Sequence, residues 1–363
     1  MNTPRPTAGL RRSTHRALER AGTLLDDLSL HRRALIGTAL ARILLGSLGT
    51  YLYLRDYTAR GHFWGPDAVW TWHNLTAGDG FSLYALSRSQ TWFELLFHTG
   101  ALAAVLFTLG WKTRFTGLAH YVLLWSLHQR NPVLLDGGDN VTAIALFYFL
   151  AIDSGARFSL DARARSTRAA RAGTPPTGTL RHRTGSLLHN AGVLAVVLQV
   201  CTVYLVSGLY KVQGERWQNG TALYYVLRVS EFGWPGVNRH LYEHATLVVA
   251  VTYATVFFQI AFAFLLIGRR TRPFAVAGGI LMHLGIAVHM AGLITFSLAM
   301  IALELVIMGD DHYRRLARFC GLPRSVPPEP PEPPPGPRTP APRTPVEGAG
   351  APDAVRPSTA GTP

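Results

Sequence analysis

The sequence predicts an all-α polytopic membrane protein, a helical bundle of about eight spans with both termini in the cytoplasm. Three observations predict it. Hydrophobic residues make up 48% of the 363 residues and charged residues only 15%, a balance typical of membrane proteins. The apolar residues form eight runs separated by polar connections. The arginines cluster in alternate connections, on the side of the N-terminus, which places that side in the cytoplasm.

The eight apolar runs are the predicted spans of a bilayer whose hydrocarbon core is about 30 Å thick. They are 34–54, 92–110, 115–127, 141–152, 187–210, 245–267, 274–289 and 291–308. Tight basic turns separate several spans, for example 111–114 and 268–273. The pair Asn131-Pro132 is a turn signal that ends the third run.

Three parts of the chain follow from this pattern. Residues 1–33 are basic and polar and are predicted to be a cytoplasmic N-terminal segment, and residues 34–309 form the transmembrane domain. Residues 156–182 are rich in arginine and are predicted to be a flexible cytoplasmic connection. Residues 310–363 are basic at first and then rich in proline, threonine and alanine, which predicts a disordered cytoplasmic tail.

The formal charge of +14 does not indicate nucleic-acid binding, because the arginines lie in short loops between apolar runs. Orientation in the cell membrane explains them better, so the predicted surroundings are the lipid bilayer. No metal site is expected. The two cysteines, Cys201 and Cys320, belong to no metal motif, and His283 and His289 are six residues apart, a poor helical spacing for shared ligands.

Lys211 is the first candidate for chemistry. The chain has two lysines, Lys112 and Lys211, among 35 basic residues, so arginine supplies its positive charge by default. A lysine near apolar surroundings can lose its proton and act as a base, whereas an arginine cannot. Trp217 follows Lys211 after a short charged turn and is a candidate binding residue. The alternative is a lysine that ends a membrane helix with its amine at the interface.

The predicted topology gathers several polar residues near Lys211 on the extracytoplasmic face. Arg130, Asp139 and Asn140 are the further candidate binding residues, and they lie around the turn Asp136-Gly137-Gly138-Asp139-Asn140. Glycines allow tight backbone geometry there, and carboxylates are favourable at a helix N-terminus. A simple helix cap is the alternative interpretation.

Two other charged residues lie inside predicted spans, where an unpaired charge is costly. Arg42 in the first span and Glu304 in the eighth lie at comparable depth, which predicts a structural ion pair. His283 in the seventh span is a candidate for a hydrogen-bonding or proton-relay role in a cavity, and a satisfied interior histidine is the alternative.

Four separated pieces of the chain resemble the bacterial HTTM family (horizontally transferred transmembrane domain), over roughly residues 30–310. The family is related to vitamin K-dependent gamma-glutamyl carboxylase, and one branch is similar to the membrane protein that matures a sporulation-delaying peptide. The pieces are Leu40-Ala41-Arg42-Ile43-Leu44; His128-Gln129-Arg130-Asn131-Pro132 with the turn at 136–140; Ser207-Gly208-Leu209-Tyr210-Lys211 with Trp217-Gln218-Asn219-Gly220; and Met282-His283-Leu284 with Phe296-Ser297.

The resemblance implies a multi-span bundle with a site open to the non-cytoplasmic face. By position, Lys211 would be the catalytic base and His283 a pocket residue. In the carboxylase, a lysine in the matching piece acts in a reaction of a reduced quinone with oxygen, so the implied cofactor is a reduced quinone (menaquinol or vitamin K hydroquinone). The strong base formed there takes a proton from glutamate, and carbon dioxide adds.

Two functions remain open from the sequence. The first is a modification or maturation factor for a small secreted peptide at the extracytoplasmic face. As an enzyme it would be a carboxylase-like lyase or a quinone-linked modification enzyme. The second is a non-enzymatic membrane component of a peptide-toxin secretion, immunity or transport system, in which Lys211 binds an acidic group or caps its helix.

Overall fold

A computed structural model describes residues 7–68, 81–172, 178–231 and 233–321. Within these ranges the chain is helical and has no strand beyond a single antiparallel bridge between Gly233 and Met290. The all-α prediction is confirmed.

The helices of the first half of the chain are α1 (Thr7–Leu30), α2 (Leu35–Arg55), α3 (Arg60–Trp64), α4 (Gln90–Leu109), α5 (Thr113–Arg130), α6 (Gly137–Phe149) and α7 (Leu160–Ala172). Those of the second half are α8 (Leu180–Gln213), α9 (Glu215–Gln218), α10 (Ala222–Val226), α11 (Pro235–Tyr242), α12 (Ala245–Ile267), α13 (Arg272–His289), α14 (Ile294–Ile307) and α15 (Asp310–Phe319). Short 3-10 turns lie at Leu83–Leu86, Pro132–Leu134, Ser154–Ala156 and Ala291–Leu293.

Four helices in the described part of the chain, α2, α4, α8 and α12, are long and apolar enough to cross a membrane. A fifth candidate is the segment Ala291–Ile307 taken together with α15, although the two are bent by 101° at the break between them. Helix α6 has 13 residues and is therefore only about 20 Å long. The number of eight spans and the orientation stay predictions.

Helix α14 lies at the centre of the bundle, in contact with α2, α6, α8 and α13. Nine of its 14 residues are buried, and Ala299, Met300 and Leu303 have no exposed surface. Helix α2 approaches it closely at Gly37, where a Cβ atom would lie 2.2 Å from the Leu305 carbonyl oxygen. A glycine is therefore required at this crossing.

The arginine-rich connection differs from the prediction of a flexible loop. Residues 160–172 form helix α7, because alanine and arginine favour helix and the Ser159 hydroxyl accepts a hydrogen bond from the Ala162 N–H at 2.8 Å. Residues 173–177 of the predicted loop and the predicted tail from residue 322 onward lie outside the described residues.

Asp161 in the first turn of α7 closes the connection between α4 and α5. Its carboxylate accepts hydrogen bonds from the backbone N–H groups of Lys112 and Thr113, both at 2.8 Å, and from the Thr113 hydroxyl at 2.7 Å. Its own N–H donates to the Gly110 carbonyl at 3.0 Å. Burial raises the pKa of Asp161, but these hydrogen bonds and the nearby Arg165 together hold it below the ordinary value.

Candidate functional site

Lys211 lies in the last turn of α8, with its side chain half buried. The amine donates a hydrogen bond to the Ser207 hydroxyl one turn earlier at 2.6 Å and lies 5.1 Å from the centre of the Trp217 ring. Among the described residues no carboxylate lies within 4 Å of it. The amine is thus held by a neutral hydroxyl and an aromatic face rather than by an ion pair.

A sharp turn at Gly214 brings Trp217 back to Lys211. Helix α8 ends where the Gly214 N–H donates to the Lys211 carbonyl, and α9 begins where the Trp217 N–H donates to Gly214, both at 3.0 Å. A Cβ atom at Gly214 would lie 3.0 Å from the Trp217 ring. The structure therefore brings Lys211 and Trp217 together, and their role in a site stays a prediction.

Asn238 ties the segment after Trp217 to the rest of the bundle. Its side chain has no exposed surface, and it donates to the carbonyl oxygens of Leu227 and His289, both at 2.9 Å. The Asn238 amide oxygen also lies 3.0 Å from His289 Nδ1. Asn238 was not predicted from the sequence, because one asparagine in a polar segment carries no signal of its own.

Asp136 and Asp139 form a capping box at the start of α6, as the helix-cap interpretation predicts. The Asp139 N–H donates to the Asp136 carboxylate at 2.9 Å, and the Asp136 N–H donates to the Asp139 carboxylate at 3.1 Å. Thr295 also donates to Asp136, at 3.3 Å. The buried His128 ring lies 4.0 Å from Asp139. Asn140 is exposed.

Arg130 lies at the end of α5, where it binds backbone rather than a free surface. Its guanidinium donates to the Trp64 carbonyl at 3.2 Å and to the Gly65 carbonyl at 2.9 Å. The neighbouring Asn131 donates to Phe63 at 2.8 Å. These bonds hold the α3 segment on α5. Residues 69–80, which follow this segment in the chain, lie outside the described residues.

The structure does not bring Arg42 and Glu304 together. Both are fully buried, but Arg42 donates to the Phe158 carbonyl at 2.6 Å. The guanidinium occupies the space beside Gly110, where a Cβ atom would lie 1.9 Å from Arg42 Nη1. It therefore points toward the connection between α4 and α5, while Glu304 lies against α8 and α13.

Glu304 belongs to a buried cluster with Tyr204 and His283. The Tyr204 hydroxyl donates to Glu304 Oε1, and His283 Nε2 lies 3.7 Å from the same oxygen. Gly279 leaves room for the carboxyl, since a Cβ atom there would lie 2.5 Å from Glu304 Oε1. Tyr204 also stacks on Phe262, with ring centres 4.1 Å apart.

The candidate residues thus form two separate groups. Lys211, Ser207 and Trp217 lie at the C-terminal end of α8, and Tyr204, His283 and Glu304 lie in the interior. Tyr204 precedes Lys211 by seven residues, two helical turns or about 10 Å along the axis. From the sequence, Lys211 and His283 were expected in one site, and Tyr204 and Ser207 were not among the candidates. The spacing of Tyr204, Ser207 and Lys211 nevertheless puts these three residues on one face of α8.

Two curated proteins of Bacillus subtilis (strain 168) are similar to this chain. It is 25% identical to sporulation-delaying protein SdpB over 201 residues, which are 53% of this chain and 57% of SdpB. It is 28% identical to the uncharacterized protein YitO over 234 residues, which are 62% of this chain and 71% of YitO. The matched part therefore spans less than two thirds of the length of SdpB.

No family model matches the sequence, and no solved structure matches it. The likeness to SdpB and the apolar helices agree with a membrane protein distantly related to SdpB. The relation to the HTTM family and to the carboxylase stays a prediction.

Proposed function

We propose that this chain is a multi-pass protein of the cell membrane that modifies or matures a small secreted peptide at the extracytoplasmic face. In this proposal the chain crosses the membrane eight times, both termini are cytoplasmic, and Lys211 is the general base. The observation that carries the proposal is the surroundings of the Lys211 amine. Its amine is half buried and has a hydroxyl and an aromatic ring as partners, with no carboxylate within 4 Å in the described residues.

The proposed role of Lys211 is to take a proton from an acidic group of the substrate. A base must present a free lone pair, and a lysine can do so where an arginine cannot. Ser207 fixes the position of the amine in either protonation state, because its hydroxyl can accept from an ammonium or donate to an amine. Trp217 covers one side of the amine, so a substrate group would approach from the other.

The other predicted binding residues differ in whether their side chains are available to contact a peptide. Asn140 is exposed and free to meet one. Arg130 and Asp139 are already occupied by carbonyls and by the capping box, so we propose that they shape the outer face. His283 is buried with Glu304, so its proposed part in the chemistry is indirect.

A reduced quinone fits the surroundings of Lys211. Tyr210 and Val212, the neighbours of Lys211 along α8, are exposed, so an apolar ring could lie against this end of the helix near the amine. A bound quinol would supply reducing electrons for oxygen. Lys211 would accept a hydroxyl proton, and the exposed side chains would position the ring.

Oxygen uptake by the purified protein in detergent with a reduced naphthoquinone tests this proposal. We expect uptake by the native chain and loss of at least about 100-fold in Lys211→Ala. Lys112→Ala is the matched control, because Lys112 also lies over a tryptophan ring, Trp111, at 4.8 Å. Uptake absent from folded native protein, or unchanged in Lys211→Ala, contradicts quinone-linked base chemistry at this residue.

The second candidate function is a non-enzymatic membrane component that binds an acidic peptide group for its secretion, immunity or transport. The lack of a carboxylate partner for Lys211 also favours this role, because an unpaired ammonium can bind a carboxylate. Lys211→Arg separates the two functions. It keeps the charge and cannot act as a base, so peptide binding that persists while modification is lost identifies the enzyme. Full retention of function identifies the binding protein.

A further inference from the structure

We propose that Tyr204, His283 and Glu304 form a proton-binding site inside the bundle. The imidazole and the carboxyl share one dissociable proton, and the Tyr204 hydroxyl fixes the carboxyl oxygen that faces the imidazole. The site is distinct from the chemistry proposed for Lys211, which lies two helical turns farther out.

The first support is geometric. Glu304 Oε1 accepts the Tyr204 hydroxyl and lies 3.7 Å from His283 Nε2. Glu304 is fully buried, and Tyr204 and His283 are 1% and 2% exposed. An ionisable cluster this deep in a membrane bundle is costly and is usually functional.

The second support is the number of open hydrogen-bonding positions. Glu304 Oε2 and both ring nitrogens of His283 have no hydrogen-bond partner among the described residues. Buried polar groups are usually paired, because leaving them unsatisfied destabilises a fold. The open nitrogens of His283 can bind or release a proton, and Glu304 Oε2 can carry one.

The third support is the charge around the cluster. Helix α14 packs against α2, α6, α8 and α13. From α8 and α13, Tyr204 and His283 face Glu304. The nearby cation of α2, Arg42, binds the Phe158 carbonyl instead, and Asp139 of α6 lies in the capping box. With one proton the histidine–glutamate pair has no net charge in either arrangement, so one shared proton is the favoured occupancy.

The cluster also has a defined position relative to Lys211. On α8, Ser207 and Lys211 follow Tyr204 by three and seven residues, on one helix face. The cluster could therefore store the proton that Lys211 takes up. That use of the proton rests on the proposed function; the binding site does not.

Infrared difference spectroscopy of the full chain in lipid vesicles, titrated with pH, tests the site. We expect a protonated-carboxyl signal that moves in heavy water, disappears in Glu304→Gln and persists in the control Glu94→Gln. Glu94 is a partly exposed carboxylate paired with Arg60 at 3.0 Å. In His283→Gln the midpoint of this signal should move by about one pH unit or more.

Either of two outcomes in the unlabelled proteins overturns the proposal. One is a native spectrum without a signal that depends on Glu304, and the other is a His283→Gln variant that titrates as the native chain does. If Glu304→Gln does not fold, carbon-13 labelling of glutamate side chains identifies the signal in native protein, and Tyr204→Phe should shift it. A labelled native chain with no protonated glutamate at any pH also overturns the site. Lys211→Met should keep the signal even if the proposed function fails.

Discussion

Two cations in apolar helices, Arg42 and Lys211, are held in different ways. Arg42 is fully buried and binds the Phe158 carbonyl beside the Gly110 turn, which Asp161 closes. Lys211 is half buried at the C-terminal end of α8, with Ser207 as its hydrogen-bond partner. A cation that binds backbone in the interior supports the fold, whereas one with a hydroxyl partner at an open end can still bind a ligand.

The residue types suit these places. A guanidinium has five donors in a planar fork and stays charged, which suits a permanent bond to carbonyl oxygens. An ammonium is a compact charge that can give up its proton. If the comparison is right, changes at Arg42 and at the Gly110 turn reduce stability, and changes at Lys211 reduce function with little loss of stability.

The largest expected effect is that of Arg42→Ala. Removing the side chain leaves the Phe158 carbonyl without its partner and opens a cavity beside Gly110, so we expect a loss of about 3 kcal/mol or more. Unfolding in mixed detergent micelles, followed by circular dichroism, measures it. Arg42→Lys should recover only part of the loss, because the lysine side chain is shorter and its amine ends short of the position of the Nη2 atom that bonds Phe158. A stable, native-like Arg42→Ala protein would contradict the structural role of this cation.

The next effect is that of Asp161→Ala, which removes the acceptor for two backbone N–H groups and the Thr113 hydroxyl. By analogy with lost helix caps we expect a cost of about 1–2 kcal/mol. Asp161→Asn keeps a side-chain oxygen and should cost less. Equal stability of the native chain and Asp161→Ala in the same unfolding assay would show that the cap is dispensable.

The pH dependence of stability sharpens the prediction for Asp161. Because the folded pKa of Asp161 is lowered, its contribution is fully present above the ordinary pKa of about 4. It is lost as the pH falls through the lower folded pKa. As the pH falls through this range, the native protein should therefore lose a contribution to its stability that Asp161→Asn lacks at every pH. Parallel stability curves for the two proteins over this range would exclude the linkage.

The sequence predicted the helical class and named Lys211 and Trp217, which lie close together, as candidate site residues, but it did not predict the partners of the buried charges. Hydropathy reports which segments are apolar, and the short spacing from Lys211 to Trp217 is local. The expected pair of Arg42 and Glu304 rested on depth alone. The predicted depth in the membrane does not determine the direction of a side chain. Arg42 donates to Phe158, which is 116 residues away in sequence.

A smaller effect on stability is expected at the capping box of Asp136 and Asp139. Asp136→Ala removes the acceptor for the Asp139 N–H and the Thr295 hydroxyl, which should cost about 1 kcal/mol. Asp136→Asn is the control, because it can still cap the helix. Since Asp136 lies on the predicted extracytoplasmic face, a loss of function far beyond this loss of stability would assign the turn to the site and not to the fold.

The smallest effect on stability is expected for Lys211→Arg. Arginine keeps the charge and can still lie over Trp217, and a partly exposed cation contributes little to the fold, so the change should be under about 1 kcal/mol. Function should nevertheless fall by about 100-fold or more if the amine acts as a base, while Lys112→Arg leaves both unchanged. A stability loss as large as that of Arg42→Ala would mean that both cations are structural. Unchanged function at native stability would leave Lys211 as a binding charge, since binding requires only the cation that arginine retains.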